Sequence, residues 1–112
     1  MVKRGEIYWL RLFGSGSEQT GRRPVLVVQN DTGNRFSPTT VVAAITSQPR
    51  SRQYPFHVSF AAKDSSLEIG GIILCEQIQT VDQTRLEAMA GKFAEGKMQE
   101  VDIALRWSLG LR

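Results

Sequence analysis

Two adjacent guanidinium groups, Arg22 and Arg23, follow the polar stretch Ser17-Glu18-Gln19-Thr20-Gly21 and precede Pro24 and the apolar run Val25-Leu26-Val27-Val28. Pro24 fixes its own φ and biases Arg23 toward an extended backbone, so Arg23 is expected to enter a strand with a defined direction. A planar guanidinium held at the mouth of a rigid strand matches phosphate oxygens bidentately. The two arginines admit two readings. Either both are solvated strand-end charges, or one neutralises a phosphate while the other steers.

Thr46 closes a second apolar run, Val41–Thr46, and shares a strand face with Val42 and Ala44 where that strand leaves the core. It is either a β-favouring residue satisfying its own loop or a hydroxyl donor to a phosphoryl oxygen. Ser47 adjoins it. The single His57, in Tyr54-Pro55-Phe56-His57-Val58, reads as a packing residue or as a planar group that stacks on or bonds to an unstacked base. Glu76, Gln77 and Gln79 border a further strand with side chains suited to base edges, and Cys75 beside them reads as a small buried hydrophobe. Other chemistries find little support. One His, one Cys and no clustered carboxylates do not build a usual zinc or two-metal site, so no metal and no cofactor are expected. No serine sits in a nucleophile elbow, and Gly14-Ser15-Gly16 lacks the Lys-Ser/Thr of a phosphate-binding loop.

The elements that must position these groups fit one domain spanning residues 1–112. Net charge is +3, but it is unevenly spread: residues 1–60 hold eight Lys/Arg against three Asp/Glu, and residues 61–112 hold six against eight. A basic half, including the loop Pro49-Arg50-Ser51-Arg52-Gln53-Tyr54-Pro55, concentrates polyanions if it is more than ordinary surface. No apolar run nears the roughly 20 residues of a membrane helix, no signal-peptide pattern follows Met1, and a lone cysteine suits a reducing cytoplasm. Strands are expected over 6–13, 25–29, 41–46, 54–60 (at an edge) and 70–79, the last with a bend or bulge at its Gly70-Gly71 entry. Residues 31–38 read as a loop with room for one helical turn. Asp82 is expected to cap a helix carrying Leu86, Met89, Ala90 and Phe93. After an interruption at Gly96, Met98, Val101, Ala104, Leu105, Ser108 and Leu109 mark one face of a terminal helix that ends near Gly110. Strands first and helices last predict a mainly β, α+β fold: a small antiparallel barrel or strongly bent sheet with C-terminal helices against one side.

Arg4-Gly5-Glu6-Ile7-Tyr8-Trp9, the stretch from Gly16 to Asp31, Thr39–Ser47, His57-Val58, Glu76–Asp82 and Ser108-Leu109-Gly110-Leu111 together resemble the MazF/PemK toxin endoribonucleases along essentially the whole chain. The resemblance implies an SH3-like β-barrel that dimerises and cuts single-stranded RNA at short sequences without a metal, leaving 2′,3′-cyclic phosphate and 5′-hydroxyl ends. It implies Arg23 and Thr46 as the catalytic pair. Ser17, Glu18, Gln19, Arg22, Ser47, Pro55, His57, Gln77 and Gln79 are implied as RNA-binding residues, with Glu18 also a candidate to position the nucleophile or the arginine. It further implies a cytoplasmic protein neutralised by an acidic, MazE-like antitoxin whose disordered tail folds on binding. The chain departs from the family pattern at Arg11, at Phe13-Gly14-Ser15 and at Gln79, so the cleavage sequence does not carry over. The competing expectation is a non-enzymatic CcdB-like toxin that binds DNA gyrase through its C-terminal helix.

Overall fold

The chain runs β1 (Glu6–Leu12), β2 (Gly21–Val27), α1 (Asp31–Phe36), β3 (Thr39–Thr46), β4 (His57–Phe60), β5 (Gly71–Asp82), β6 (Met89–Lys92) and α2 (Glu95–Leu109). Single 3-10 turns lie at Ala62–Asp64 and Gln83–Arg85. The computed structural model describes residues 1–49 and 52–112, so Arg50 and Ser51 of the expected basic loop lie outside the described residues. Among the described residues all pairings are antiparallel, and six strands form one sheet in the order β4-β5-β3-β2-β1-β6. No helix among the described residues is long and apolar enough to cross a membrane.

The central strands read as unbroken apolar runs because both faces of the sheet are covered. Ile7, Leu26, Ala43, Ile45 and Ile73 pack with Phe93 and with Met98, Val101 and Ala104 of α2. Leu10, Leu12, Val25, Val27, Val42 and Leu74 point the other way into a second cluster with Val2 and Val81. The sheet curls until its edges meet: Phe60, ending β4, and Phe93, just after β6, contact edge-to-face with centroids 5.0 Å apart. The expected barrel-like bent sheet is therefore observed, with one C-terminal helix rather than two.

That difference has a clear origin. Asp82 does cap a turn, its carboxylate accepting from the Thr84 backbone N–H at 2.9 Å, but the turn ends at Leu86, whose backbone is extended. The chain then becomes β6. Its neighbours along β1 exchange backbone bonds, with Glu87 N–H donating to Trp9 at 2.8 Å, Trp9 to Ala88 at 3.1 Å and Phe93 to Gly5 at 3.0 Å. The helical spacing of Leu86, Met89, Ala90 and Phe93 gives way to the unpaired edge of β1, which needs a ladder partner. Glycine at 96 does not interrupt α2 but sits in its first turn, and Gly110, at φ 70° and ψ 30°, closes the helix in the left-handed conformation.

Residues 31–38 contain the anticipated turn as α1, capped by Asn30. Asn34 is buried there, accepting from Thr40 Oγ1 at 2.6 Å and donating to the Gln29 carbonyl at 3.0 Å, which ties α1 to the start of β3. The bulge in β5 lies deeper than expected. Ala43 pairs with Ile78 and Ala44 with Leu74, leaving Cys75, Glu76 and Gln77 without partners on β3. Gly70 and Gly71 answer a different need: a Cβ at Gly71 would overlap the Thr46 carbonyl oxygen, and one at Gly70 the Phe60 carbonyl oxygen. The glycine pair lets β5 begin hard against the end of β3.

Candidate functional site

The β2–β3 ladder pairs Val27 with Val42, Leu26 with Ala43 and Val25 with Ala44, and then stops. Continued by two residues, the same register sets Arg23 opposite Thr46, with both side chains on the face that carries Val25 and Ala44. Residues Gly21–Pro24 instead pair only with β1. Pro24 thus occupies a local edge, where its missing N–H leaves no gap in the ladder. Beyond Val25 and Ala44 the two strands part around a cavity of about 520 Å³. Arg22, Arg23, Thr46 and Ser47 line it, together with Trp9, Pro24, Phe60 and the segment Ser66–Gly70.

Arg23 is half-buried, and its Nε donates to the Thr20 carbonyl at 2.9 Å. Among the described residues no carboxylate engages it, so the terminal nitrogens of its guanidinium remain available to an anion. Thr46 is 2% exposed. Its Oγ1 accepts the Gln48 backbone N–H at 3.1 Å, which orients the hydroxyl and leaves its proton to donate. Arg22 is held differently. Its Nε donates to Glu87 at 2.8 Å while the guanidinium lies 4.7 Å above the Trp9 ring. Its charge is thus partly engaged within the protein.

The polar loop is fastened from the β5 bulge. Gln19 N–H donates to Gln77 Oε1 at 2.9 Å, and Gln77 Nε2 donates to the Ser17 carbonyl at 3.1 Å. Glu18 does not turn toward Arg23. Its carboxylate closes the preceding glycine turn by accepting the Ser15 N–H at 2.9 Å and the Ser15 hydroxyl at 3.2 Å. Glu18, Gln19, Gln77 and Gln79 line a second, smaller cavity of about 200 Å³ with Phe13 and Glu76.

His57 and Pro55 border a third cavity, of about 320 Å³, with Glu100 and Ile103 of α2. The imidazole Nε2 lies 2.8 Å from the Glu76 carboxylate, the second side chain delivered by the bulge. Tyr54 and Phe56 flank the ring edge-on at 5.5 and 4.9 Å, and its Nδ1 is buried with no hydrogen-bond partner among the described residues. Cys75 is fully buried, and burial, reinforced by the Glu76 charge, pushes its thiol up to about 12, which suits a packing role. No three His, Cys, Asp or Glu side chains converge among the described residues.

Apart from Ser17, which lines none of them, the candidate site residues singled out from sequence fall into three cavities rather than one. Several side chains around the first were not anticipated: Trp9, the Arg22–Glu87 pair and the wall from Ser66 to Ile69. Ile69 left one readable trace, an apolar side chain in a polar stretch before Gly-Gly, which proves 62% exposed.

A family model described as PemK-like, MazF-like toxin of type II toxin–antitoxin system matches residues 3–109. Among solved structures, an endoribonuclease from a mycobacterial species, in complex with its cognate antitoxin, superposes with a TM-score of 0.82 at 26% identity, covering 100% of this chain and 98% of that one. MazF from Deinococcus radiodurans gives a TM-score of 0.79 at 28% identity, with 98% and 97% coverage. A MazE–MazF complex from the same organism gives 0.76 at 25% identity, with 99% and 98% coverage. With its family match running through every strand of the sheet and the terminal helix, this chain belongs to the PemK-like, MazF-like toxins of type II toxin–antitoxin systems.

Proposed function

We propose that this chain is a sequence-specific endoribonuclease toxin that cleaves single-stranded RNA without a metal, with Arg23 and Thr46 as the catalytic pair. The observation that carries this reading is the register of β2 and β3. Extended two residues past its last pair, that register brings Arg23 and Thr46 to facing strand ends on the side of the sheet that carries Val25 and Ala44, which supports a guanidinium and a hydroxyl acting on one phosphate. The kinship to an endoribonuclease structure at 26% identity supports it.

In the reaction the 2′-oxygen of one nucleotide bonds to the adjacent phosphorus, and the P–O5′ bond breaks. The 2′-hydroxyl proton is released and the 5′-oxygen takes one up, leaving a 2′,3′-cyclic phosphate and a 5′-hydroxyl. Negative charge grows on the non-bridging oxygens as the phosphorus becomes five-coordinate. Arg23 stabilises it with fixed donors, and the Thr46 hydroxyl adds a second hydrogen bond from the facing strand. Each such donor is worth roughly 10²- to 10³-fold in rate. Arginine is a poor acid, so its part is electrostatic first. DNA lacks the nucleophile and is spared. Glu18, bonded to Ser15, acts in this reading on the shape of the loop rather than on the arginine.

Ser17, Gln19, Arg22, Ser47, Gln77 and Gln79 contact RNA around these strand ends and the neighbouring loop, and Pro55 and His57 lie farther along the path. An acidic antitoxin segment occupies the same basic face. The toxin works in the cytoplasm as a homodimer, consistent with the exposed Ile103, Trp107, Leu109 and Leu111 at the end of the chain. That apolar helix surface is also what a gyrase-binding, non-enzymatic toxin of the CcdB kind would use.

One assay separates the readings. Purified protein is incubated with a long RNA in EDTA and the new ends are mapped. Cleavage to 2′,3′-cyclic phosphate ends is expected, and Arg23→Ala should abolish it while leaving the circular dichroism spectrum intact. No cleavage, or cleavage only with added Mg²⁺, rejects the mechanism. Normal cutting by Arg23→Ala rejects the site.

A further inference from the structure

The second cavity, of about 200 Å³, borders the candidate reaction site. Leu12 and Ala44 line it and share the sheet face of Val25. In the strand register Leu12 pairs with Gly21 and Ala44 with Val25, so the two stand one side-chain step to either side of Arg23 on β2. The same cavity is lined by Phe13, whose ring is 75% exposed and belongs to neither core cluster. The Arg85 guanidinium lies 6.0 Å from the centroid of that ring and is fixed in turn by donating to the Arg11 carbonyl at 3.0 Å. Phe36 is as exposed and carries Arg35 in the same way, at 5.2 Å, but lines none of the three cavities. The place of Phe13, rather than its exposure, sets it apart.

From these features we infer that Phe13 is a stacking platform for a nucleobase adjoining the scissile phosphate. A cavity this small, below the roughly 300–1,000 Å³ of pockets for drug-sized ligands, suits one flat group rather than a whole nucleotide. The carboxylates of Glu18 and Glu76 on its lining disfavour a phosphate there, whereas an aromatic face among the amides of Gln19, Gln77 and Gln79 suits an uncharged base. Every base has a π-face, so the contact adds affinity without choosing a sequence. Phe13 directly follows β1, and Arg85 ends the turn that Asp82 caps, so ring and cation both stand next to anchored backbone. This inference rests on the endoribonuclease reading above and adds to it a residue at a position where the chain leaves its family pattern.

The test uses a short fluorescent RNA carrying the cleavage sequence mapped for the wild-type protein, with 2′-deoxyribose at the cut so that it binds without reacting. By anisotropy, Phe13→Ala is expected to weaken binding by about 5- to 150-fold, the equivalent of stacking worth roughly 1–3 kcal/mol. Phe13→Trp should recover most of that loss, and Phe36→Ala should bind as the wild type does. The dependence of affinity on salt should be the same for Phe13→Ala and wild type, because no phosphate contact is removed. An abasic site at the stacked nucleotide beside the cut should weaken binding by the wild type to a similar degree and by Phe13→Ala hardly at all. An unchanged affinity for Phe13→Ala, an equal loss in Phe13→Trp or Phe36→Ala, or abasic penalties as large in Phe13→Ala as in the wild type at both flanking positions would overturn stacking while cleavage by the wild type persists. Absence of all cleavage by the wild type would instead remove the underlying activity, and the inference with it.

Discussion

Replacing Gln77 by alanine tests whether the β5 bulge governs the loop that precedes Arg22. Gln77 makes two bonds to that loop, accepting from the Gln19 N–H at 2.9 Å and donating to the Ser17 carbonyl at 3.1 Å. At roughly 0.5–1.5 kcal/mol net for each bond, their joint loss weakens loop closure by about 1–3 kcal/mol. Opening then becomes on the order of 5- to 150-fold more frequent. Hydrogen exchange should report this locally: the Gln19 amide exchanges faster by that factor, while Val25, Leu26 and Val27 in the ladder keep their protection. Gln77→Glu retains the acceptor for Gln19 but loses the donor to Ser17, so it should fall between alanine and wild type. In cleavage assays KM should rise more than kcat falls, because Arg23 and Thr46 stand on strands the substitution does not touch. An unchanged Gln19 amide would mean that the Glu18–Ser15 turn holds the loop alone. A uniform acceleration across β2 would mean that Gln77 acts on the sheet. Either result refutes the reasoning.

Other expectations follow from single groups. Thr46→Val should alter stability by no more than about 1 kcal/mol, since the exposed Gln48 amide it releases can turn to water. Cleavage should nevertheless fall roughly 10²- to 10³-fold, and activity within tenfold of wild type would remove Thr46 from the chemistry. Cys75, buried with its thiol pushed up to about 12, should resist iodoacetamide at pH 8 in the folded protein and react only in denaturant. Asp31 and Asp82 are held below the ordinary carboxylate value of 3.8, Asp31 chiefly by the Arg4 backbone N–H and Asp82 by the Thr84 side chain. Because the folded state favours their charged forms, their stabilisation is complete above the ordinary value and drains away as pH falls through the lowered ones. Urea unfolding between pH 6 and pH 2.5 should show it, and an Asp31→Asn acid limb identical to wild type would exclude Asp31.

The parts of the fold that sequence reveals are those where one local pattern has one tertiary meaning. Val25–Val28 and Val41–Ile45 are apolar on both faces and were legible as central strands, just as Met98, Val101 and Ala104 mark a helix face that remains a helix. The stretch 82–93 carries an equally good helical spacing, but the open edge of β1 supplies backbone bonds that an isolated pattern cannot anticipate. The bulge at Cys75–Gln77 has no composition of its own, since only the register against β3 exposes it. The candidate site divides along the same line. Arg23 beside Pro24 announces itself locally, and Thr46 gains meaning from a cross-strand register. Trp9 and the wall from Ser66 to Ile69 become visible only when the curled sheet brings three distant stretches around one cavity.

The early end of the β2–β3 ladder carries a consequence for how such a protein diversifies. The two reacting side chains hang from strand termini whose spacing is set by the paired residues behind them, Val25 with Ala44 and Leu26 with Ala43. The loop proposed to meet RNA comes from elsewhere in the chain, residues 13–20, and is fastened from the β5 bulge. Insertions, deletions or exchange within that loop leave those strand pairs in place. Grafting residues 13–20 from a relative onto this sheet is accordingly a route to a new cleavage sequence, with selection free to work on the loop without rebuilding the strands behind it.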